Sequence, residues 1–323
     1  MENSIILKKN NLIKSESHFI RHFLNMKASK SRYTAISYER DIKDFFGVER
    51  IEDIRLEDII AVNIIHTENY ILAMKESGKS SATINRKLSS LSSLYKWLLK
   101  YRDNLTDTYI IKYNPFGDLK EEKPKVNNKD TDFLTKEECC KLLESFDENE
   151  IVDLRNKSLL SLALTTALRK SEIINIKIGD IYKYGQYDVI SVIRKGNKKD
   201  LVKLQAPVKM LIDKYIYNTN RTYEEHKDTY LFIGHSRNKN NNEKLDSSTL
   251  NYMIKNTCKR VGIEKNIKVH STRHTAITLA ILSGASIEKV RDFAAHRNIA
   301  TTNRYVHSID KLENNAGDLI DIF

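Results

Sequence analysis

Apolar residues recur at steps of three and four along the first third of the chain, the spacing that places them on one face of a helix. The clearest case is 81–101, where Ser80 or Ser81 can cap the first turn and one continuous apolar stripe follows. The stripe consists of Ile84, Leu88, Leu91, Leu94, Tyr95 and Leu98. With further helices at 56–60 and 63–75, the pattern predicts a helical bundle over residues 14–113.

The helical pattern ends at Asn114, where the sequence reads NPFG. The segment 120–130 (KEEKPKVNNKD) is charged, contains a proline and shows no periodicity, which is typical of a linker. We therefore expect two domains, 1–118 and 132–323, joined by a linker at 119–131.

The second domain begins with a Thr-x-x-Glu capping box, Thr135 to Glu138, and the pattern predicts helices at 135–146 and 154–168. Residues 187–193 alternate with β-branched side chains, and 201–204 can pair with them across the turn sequence KGNK. Further helices are expected at 208–217, 247–261, 271–282 and 287–295. The fold class is therefore mainly α, with a helical bundle followed by a mostly helical domain that contains a small antiparallel β-sheet.

The charge of the chain favours a polyanionic partner. Its 323 residues include 54 Lys and Arg against 43 Asp and Glu, a formal charge of +11. Each domain carries part of this excess, so nucleic acid is the first candidate. The three cysteines lack the CxxC spacing of a metal site, and the apolar runs are too short for a signal peptide or a membrane span. We expect a cytoplasmic protein without metal or cofactor.

Five short motifs follow one another in the second half of the sequence. They read TALRKSE at 166–172, RKGNK at 194–198, HSTRH at 270–274, AHR at 295–297 and TTNRY at 301–305. Their order and spacing resemble the tyrosine recombinase, or phage integrase, family, and the first domain resembles the DNA-binding core-binding domain of that family. The resemblance implies a catalytic set formed by Arg169, Lys195, His270, Arg273, His296 and Tyr305.

The chemistry of phosphodiester cleavage explains why these residue types belong together. Attack on the phosphate builds negative charge on its non-bridging oxygens, which the guanidinium groups of Arg169 and Arg273 can neutralise without a metal. Lys195, in the hairpin turn, can protonate the departing 5′ oxygen, although the lysines at 198 and 199 compete for this role. The phenol of Tyr305 is easier to deprotonate than an aliphatic alcohol, and its phosphate ester keeps the bond energy for resealing.

Three further residues are expected to support these groups. His270 can assist proton transfer from the tyrosine, while His296 can hydrogen-bond and position the phosphate. Glu172, three residues after Arg169, can orient that guanidinium.

The sequence departs from the family pattern at four supporting positions. Ala167 stands where the family usually has glycine, Thr272 where it has leucine, and Ala294-Ala295 where it has Leu-Gly. None of these changes removes a reacting group, so they put local packing in doubt rather than catalysis.

In the first domain, the helix that begins near residue 80 is the best candidate for lying in the major groove, and an earlier helix is the next. The alternative is that these side chains merely form the solvated faces of their helices. The candidate DNA contacts are Lys79, Ser80, Thr83, Arg86 and Lys87, followed by Arg32 and Tyr33.

The resemblance also implies partners. Members of the family act as tetramers on two duplex DNA sites through a Holliday junction, for integration, excision or resolution of a mobile element, and an accessory directionality factor is an expected partner. Because only a short segment precedes the first domain, an Xer-like or transposon-borne recombinase is the better analogy. The tail, 306–323, has an apolar face that is expected to dock on a neighbouring subunit or, alternatively, on its own domain.

Three other classes compete with this interpretation. A type IB topoisomerase uses the same kind of tyrosine and cationic pocket but relaxes supercoils. A DNA-binding regulator could keep the fold without the chemistry, although the complete set of six residues argues against it. A metal-dependent transposase or nuclease needs convergent carboxylates, whereas the acidic residues here are dispersed.

Overall fold

The structure is a computed structural model. It describes residues 18–102, 107–119, 121–126, 131–194, 198–235, 244–303 and 305. The chain divides into two compact units, residues 1–128 and 129–323, each with its own hydrophobic core. In the described ranges no helix combines the length and the apolar character needed to cross a bilayer.

The first unit is built from helices, as the apolar spacing predicts. They are α1 (Phe19–Ala28), α2 (Arg32–Phe46), α3 (Leu56–Ala61), α4 (Ile64–Glu76) and α5 (Ser81–Leu98), with a 3₁₀ turn at Ile51–Asp53. Ser80 caps α5, because its hydroxyl accepts a hydrogen bond from the backbone N–H of Thr83 at 3.3 Å. The predicted apolar stripe of α5 is buried over its whole length.

The core of the first unit extends beyond the NPFG segment. The ring of Phe116 is fully buried and its centroid lies 5.1 Å from that of Phe45 and 5.3 Å from that of Tyr95. Leu119, which we assigned to the linker, is also buried in this core. The first core therefore extends to Leu119, a few residues beyond Asn114, where the helical periodicity ends.

The second unit is mostly helical. Its helices are α6 (Lys136–Glu144), α7 (Ile151–Thr166), α8 (Lys170–Ile173), α9 (Ala206–Asn218), α10 (Ser247–Arg260), α11 (Val269–Leu282) and α12 (Ile287–Phe293), with a 3₁₀ turn at Ile178–Asp180. The capping box of α6 is present, since Thr135 and Glu138 exchange side-chain to backbone hydrogen bonds of 2.8 and 3.2 Å. Helix α7 is buried on nearly all sides and packs against α9 and α11.

The small sheet has three antiparallel strands rather than the two predicted. They are β1 (Ile181–Tyr184), β2 (Tyr187–Arg194) and β3 (Lys198–Lys203), with β2 in the centre. Strand β1 was not predicted because only its first residue, Ile181, is buried, so its sequence shows no alternation of apolar and polar residues. The mainly helical fold class with a small antiparallel sheet is confirmed.

Candidate active site

Arg169 lies in the turn between α7 and α8, where Glu172 holds it. The Glu172 carboxylate accepts hydrogen bonds from the Arg169 backbone N–H at 2.7 Å and from Arg169 Nη1 at 2.8 Å. The side chain of Glu172 is 4% exposed, whereas that of Arg169 is 36% exposed. The outer part of the guanidinium therefore remains accessible while a buried carboxylate fixes its orientation.

Arg194 is a site residue to which the sequence analysis assigned no role. It is the last residue of β2 and is buried. Its Nη1 donates to Glu172 Oε2 at 2.9 Å, and its Nε donates to Asp200 Oδ2 at 3.0 Å. The only signal in the sequence was its place directly before Lys195, and an arginine at the end of a strand is ordinarily exposed.

Arg273 is buried in α11 and bonded to two backbone carbonyls. Its Nη1 donates to the carbonyl of Ala167, which ends α7, and its Nη2 donates to the carbonyl of Ala294, which ends α12. Carbonyl groups at helix C-termini carry partial negative charge, so they stabilise a buried cation. Burial and the nearby Arg169 lower the pKa of Arg273 to about 10, which leaves it charged at neutral pH.

Two histidines lie within electrostatic range of these arginines. Partial desolvation and the charges of Arg273 and Arg169 lower the pKa of His270, at the start of α11. Burial and the same two arginines lower the pKa of His296 to about 4. The Nδ1 atom of His296 lies 3.0 Å from Thr302 Oγ1, a hydrogen bond that fixes the ring. Both imidazoles are therefore neutral at neutral pH, the state that a proton acceptor requires.

Tyr305 is half-buried between two histidine rings. Its ring centroid lies 4.6 Å from that of His274 and 6.0 Å from that of His296. Burial raises the pKa of the phenol, and the charge of Arg273 opposes this effect. The phenol is thus protonated at neutral pH and must lose its proton before it can act as a nucleophile. His274 belongs to the HSTRH motif, but the motif predicts no role for it.

The structure brings five of the six expected catalytic residues together from the α7–α8 turn, α11 and the segment after α12. They are Arg169, His270, Arg273, His296 and Tyr305. The sixth, Lys195, lies outside the described residues, as does the tail 306–323. Among the described side chains, no group of three or more His, Cys, Asp or Glu could hold a metal ion.

Most of the candidate DNA contacts in the first unit lie on its surface. Arg32 and Tyr33 begin α2 and are exposed, with Tyr33 86% accessible. Lys79 and Ser80 are exposed just before α5, and Thr83 is partly exposed in its first turn. These five residues remain in the predicted surface.

Lys87 does not belong to that surface. It is buried, and its Nζ donates to Asp44 Oδ2, which also accepts a hydrogen bond from the hydroxyl of Tyr70. Arg86 is partly exposed, but its guanidinium is paired with the buried Asp41. The prediction for Lys87 is wrong because its side chain is buried against α2, where its ammonium group pairs with the carboxylate of Asp44, which is itself 48% exposed.

Both alanines that replace family glycines adopt a left-handed backbone. The φ angle is +49° at Ala167 and +47° at Ala295. A residue with a Cβ atom costs about 1 to 2 kcal/mol in this conformation, which glycine adopts without strain. The glycines that the family usually has at these positions therefore suit the backbone that ends α7 and α12.

We expect Ala295→Gly to raise the free energy of unfolding by about 1 kcal/mol, because it removes this strain at a partly exposed position. Ala167→Gly should be nearly neutral, since Ala167 is fully buried and loses a packed methyl group worth about 0.8 kcal/mol. Urea denaturation of the two variants measures both effects. Ala280→Gly, at a right-handed position within α11, is the control and should destabilise the protein by about 1 kcal/mol. An Ala295→Gly variant no more stable than wild type would contradict the assignment of strain.

The low pKa of His296 predicts a loss of stability in acid. The unfolded histidine binds a proton near pH 6.5, whereas the folded one does so only near pH 4. The stability is therefore complete above pH 6.5 and decreases as the pH falls towards 4. His296→Asn should make the unfolding free energy less dependent on pH in this window. Part of the pH dependence of the unfolding free energy should remain in this variant, because the pKa of His235 is also lowered to about 4. Denaturation of both proteins at pH 8, 6 and 5 tests this, and identical slopes would contradict it.

Family models match both units. The model of the Phage integrase family matches residues 132–311, and the model named Phage integrase, N-terminal SAM-like domain, matches residues 19–101. Because the first match alone covers more than half of the chain, this protein belongs to the phage integrase family. It is an enzyme of the tyrosine recombinase type, a class that carries out site-specific recombination.

Curated relatives align over nearly the whole chain. A tyrosine recombinase of Pseudothermotoga lettingae is 28% identical over 302 residues, which cover 93% of this chain and 94% of the relative. The tyrosine recombinase XerD of Oceanobacillus iheyensis is 28% identical, with 88% of this chain and 91% of the relative covered. XerC of Thermodesulfovibrio yellowstonii is 27% identical, with coverage of 90% and 91%.

Solved structures show the same fold. The XerH site-specific recombinase in a post-cleavage complex with a palindromic difH substrate has a TM-score of 0.64 at 22% identity and covers 78% of this chain and 70% of its own. A lambda integrase dimer bound to a COC′ core site has a TM-score of 0.61 at 17% identity, with coverage of 88% and 93%. The Tn1549 transposon integrase with circular intermediate DNA has a TM-score of 0.59 at 18% identity, with coverage of 93% and 92%.

Proposed function

We propose that this recombinase binds duplex DNA and cuts each strand by attack of Tyr305 on a backbone phosphate. A 3′-phosphotyrosine bond and a free 5′ hydroxyl result, and the hydroxyl of a partner strand reverses the reaction to complete the exchange. The observation that carries this proposal is that Arg169, the neutral His270 and His296, and the half-buried Tyr305 all lie within electrostatic range of the buried Arg273.

The protonation states of Tyr305 and His270 support the direction of the first proton transfer. Tyr305 Oη forms a bond to phosphorus as its proton passes to His270, which is neutral and can accept it. The bond between phosphorus and the 5′ oxygen breaks, and this oxygen takes a proton from Lys195. Arg169 and Arg273 stay charged throughout and neutralise the non-bridging oxygens.

The finer parts of the proposal concern DNA and assembly. The surface formed by Arg32, Tyr33, Lys79, Ser80 and Thr83 would contact the major groove of the half-site. We propose a tetramer on two DNA sites and a Holliday junction intermediate, serving integration, excision or resolution of a mobile element with an accessory directionality factor. Similarity to the tyrosine recombinase XerD supports the recombination step of this proposal, and similarity to the Tn1549 transposon integrase supports the mobile element.

Trapping of a covalent intermediate tests the proposed chemistry. A binding site is first selected from random duplexes, and a nick is then placed beside the cleavage position so that the short 5′-hydroxyl fragment diffuses away. We expect a protein–DNA adduct that survives denaturation, forms in EDTA and maps to Tyr305 by mass spectrometry of the digested complex. An adduct at another residue, or none on any selected site, would contradict the proposal.

The tail gives a test of assembly. Deletion of 315–323 should preserve binding to one half-site and weaken cooperative binding to the full site and recombination, if the apolar tail docks on a neighbouring subunit. Gel shifts on half and full sites measure the two steps separately. If the shortened protein unfolds or binds full sites as cooperatively as wild type, the tail acts within its own subunit or plays no part in assembly.

A further inference from the structure

Arg194 occupies an unusual place for an arginine at the end of a β-strand. Its side chain is 8% exposed and forms ion pairs with two carboxylates, Glu172 at 2.9 Å and Asp200 at 3.0 Å. These contacts use Nη1 and Nε, so the guanidinium bonds in two directions at once. The residue therefore connects two different elements of the catalytic unit.

Glu172 is the shared partner of this connection. Its Oε2 atom accepts hydrogen bonds from both the Arg169 backbone N–H and Arg194 Nη1, and its Oε1 accepts one from Arg169 Nη1. A single buried carboxylate thus holds the phosphate-binding arginine on one side and Arg194 on the other. Charge-assisted hydrogen bonds of this kind are short and directional, so they fix the separation of the groups they join.

Asp200 extends the connection to the second strand of the hairpin. Arg194 is paired with Lys198 in the β2–β3 register, and Asp200 lies two residues further along β3. Through its own backbone and its ion pair with Asp200, Arg194 connects the end of β2 to the start of β3. The hairpin and Arg169 are therefore held to the same carboxylate.

We propose that Arg194 is a positioning residue that holds the end of β2 and the start of β3 at a fixed distance from Arg169, so that Lys195, the next residue in the sequence, can protonate the leaving group of the phosphate that Arg169 binds. The inference rests on the proposed function, because it assigns the leaving-group proton to Lys195. It concerns the placement of that proton rather than the capture of the phosphate.

This role differs from a purely structural one in its dependence on the leaving group. A 5′-bridging phosphorothiolate substrate releases a thiol, whose pKa near 8.5 makes protonation unnecessary. Loss of a positioning residue for the acid should therefore slow cleavage of the ordinary phosphate and leave cleavage of the phosphorothiolate almost unchanged. A general loss of structure slows both.

The test compares Arg194→Lys and Asp200→Asn on the two substrates. Lysine keeps the charge, but its three donors lie on one nitrogen and cannot occupy the separate positions of Nη1 and Nε, which bond Glu172 and Asp200. We expect Arg194→Lys to cleave the ordinary nicked site about 10- to 100-fold more slowly than wild type, the cost of a misplaced group. Asp200→Asn should show a smaller loss, and both variants should cleave the phosphorothiolate within about threefold of wild type.

Arg221→Lys is the matched control. Arg221 is equally buried, at 7% exposure, but bonds the backbone carbonyls of Tyr230 and Leu231 instead of the site. Any defect it has should be equal on both substrates. Melting temperatures of all variants show whether each remains folded at the assay temperature.

Two results would overturn the positioning role. The folded Arg194→Lys variant could cleave both substrates more slowly by the same factor, or it could cleave both at the wild-type rate. If Arg194→Lys unfolds, the Asp200→Asn and Arg194→Gln variants provide the same test, through the ratio of their cleavage rates on the two substrates. Failure of wild-type protein to form any adduct with Tyr305 would instead refute the proposed function, which keeps the two failures apart.

Discussion

Tyr305→Phe is expected to abolish covalent cleavage and to leave DNA affinity nearly unchanged. The substitution removes only the phenol oxygen, the atom that would form the bond to phosphorus. The ring keeps its packing beside His274 and His296, so the surrounding site should persist. Because the binding surface is proposed to extend over both units, one hydroxyl contributes little to it.

The nicked substrate described above measures this directly. Tyr305→Phe should yield no adduct over times at which wild type reacts to completion, and both should bind the selected site equally in gel shifts. Tyr217→Phe is the control, since Tyr217 is 81% exposed in the same unit and should behave as wild type. A covalent adduct with the Tyr305→Phe variant would show that another residue attacks the phosphate.

Arg169→Ala and Arg273→Ala are each expected to slow cleavage by a hundred- to a thousandfold or more. Each removes a cation directed at charge that develops in the transition state, an effect worth about 3 to 4 kcal/mol for comparable groups. Single-turnover rates on the nicked substrate provide the measurement. Binding should fall far less, and rates within tenfold of wild type in both variants would place the phosphate clamp elsewhere.

The two substitutions should differ in stability. Arg169 is partly exposed, whereas Arg273 is buried and bonds the carbonyls of Ala167 and Ala294. Its removal leaves those carbonyls unpaired, at a cost of about 1 to 3 kcal/mol each. Arg273→Ala should therefore unfold at lower urea than Arg169→Ala, and rates must be compared at a temperature at which both remain folded.

Much of the fold follows from local sequence pattern. The positions of α5 and α6 are predictable because an apolar stripe marks α5 and a capping box marks α6. Helix α7 is predictable from its apolar run LLSLAL at 159–164. Strand β1 is different, since three of its four residues are exposed and its pairing with β2 depends on a partner that local pattern does not reveal.

In the candidate site, too, some residues are predictable from local sequence and others depend on distant partners. Short motifs predict Arg169, Arg273 and Tyr305 as candidate reacting groups because the order of the motifs along the chain resembles the family pattern. The partners of charged groups depend on tertiary packing instead. Arg194 and Lys87 are both buried and form ion pairs with carboxylates that are distant in sequence, Glu172 and Asp44. The periodicity of apolar residues carries no information about such pairs.

Arg273 is proposed to bind the phosphate, and it also bonds the ends of two helices. These two roles affect which residues a gene of this kind would lose first once recombination is no longer selected. A copy released from selection for recombination but still required to bind DNA can lose the Tyr305 hydroxyl and keep the ring packed beside His274 and His296. The same copy would lose much of its folding free energy with Arg273, because two helix ends depend on that side chain. Among inactive descendants of this lineage, the arginine should therefore persist longer than the nucleophile.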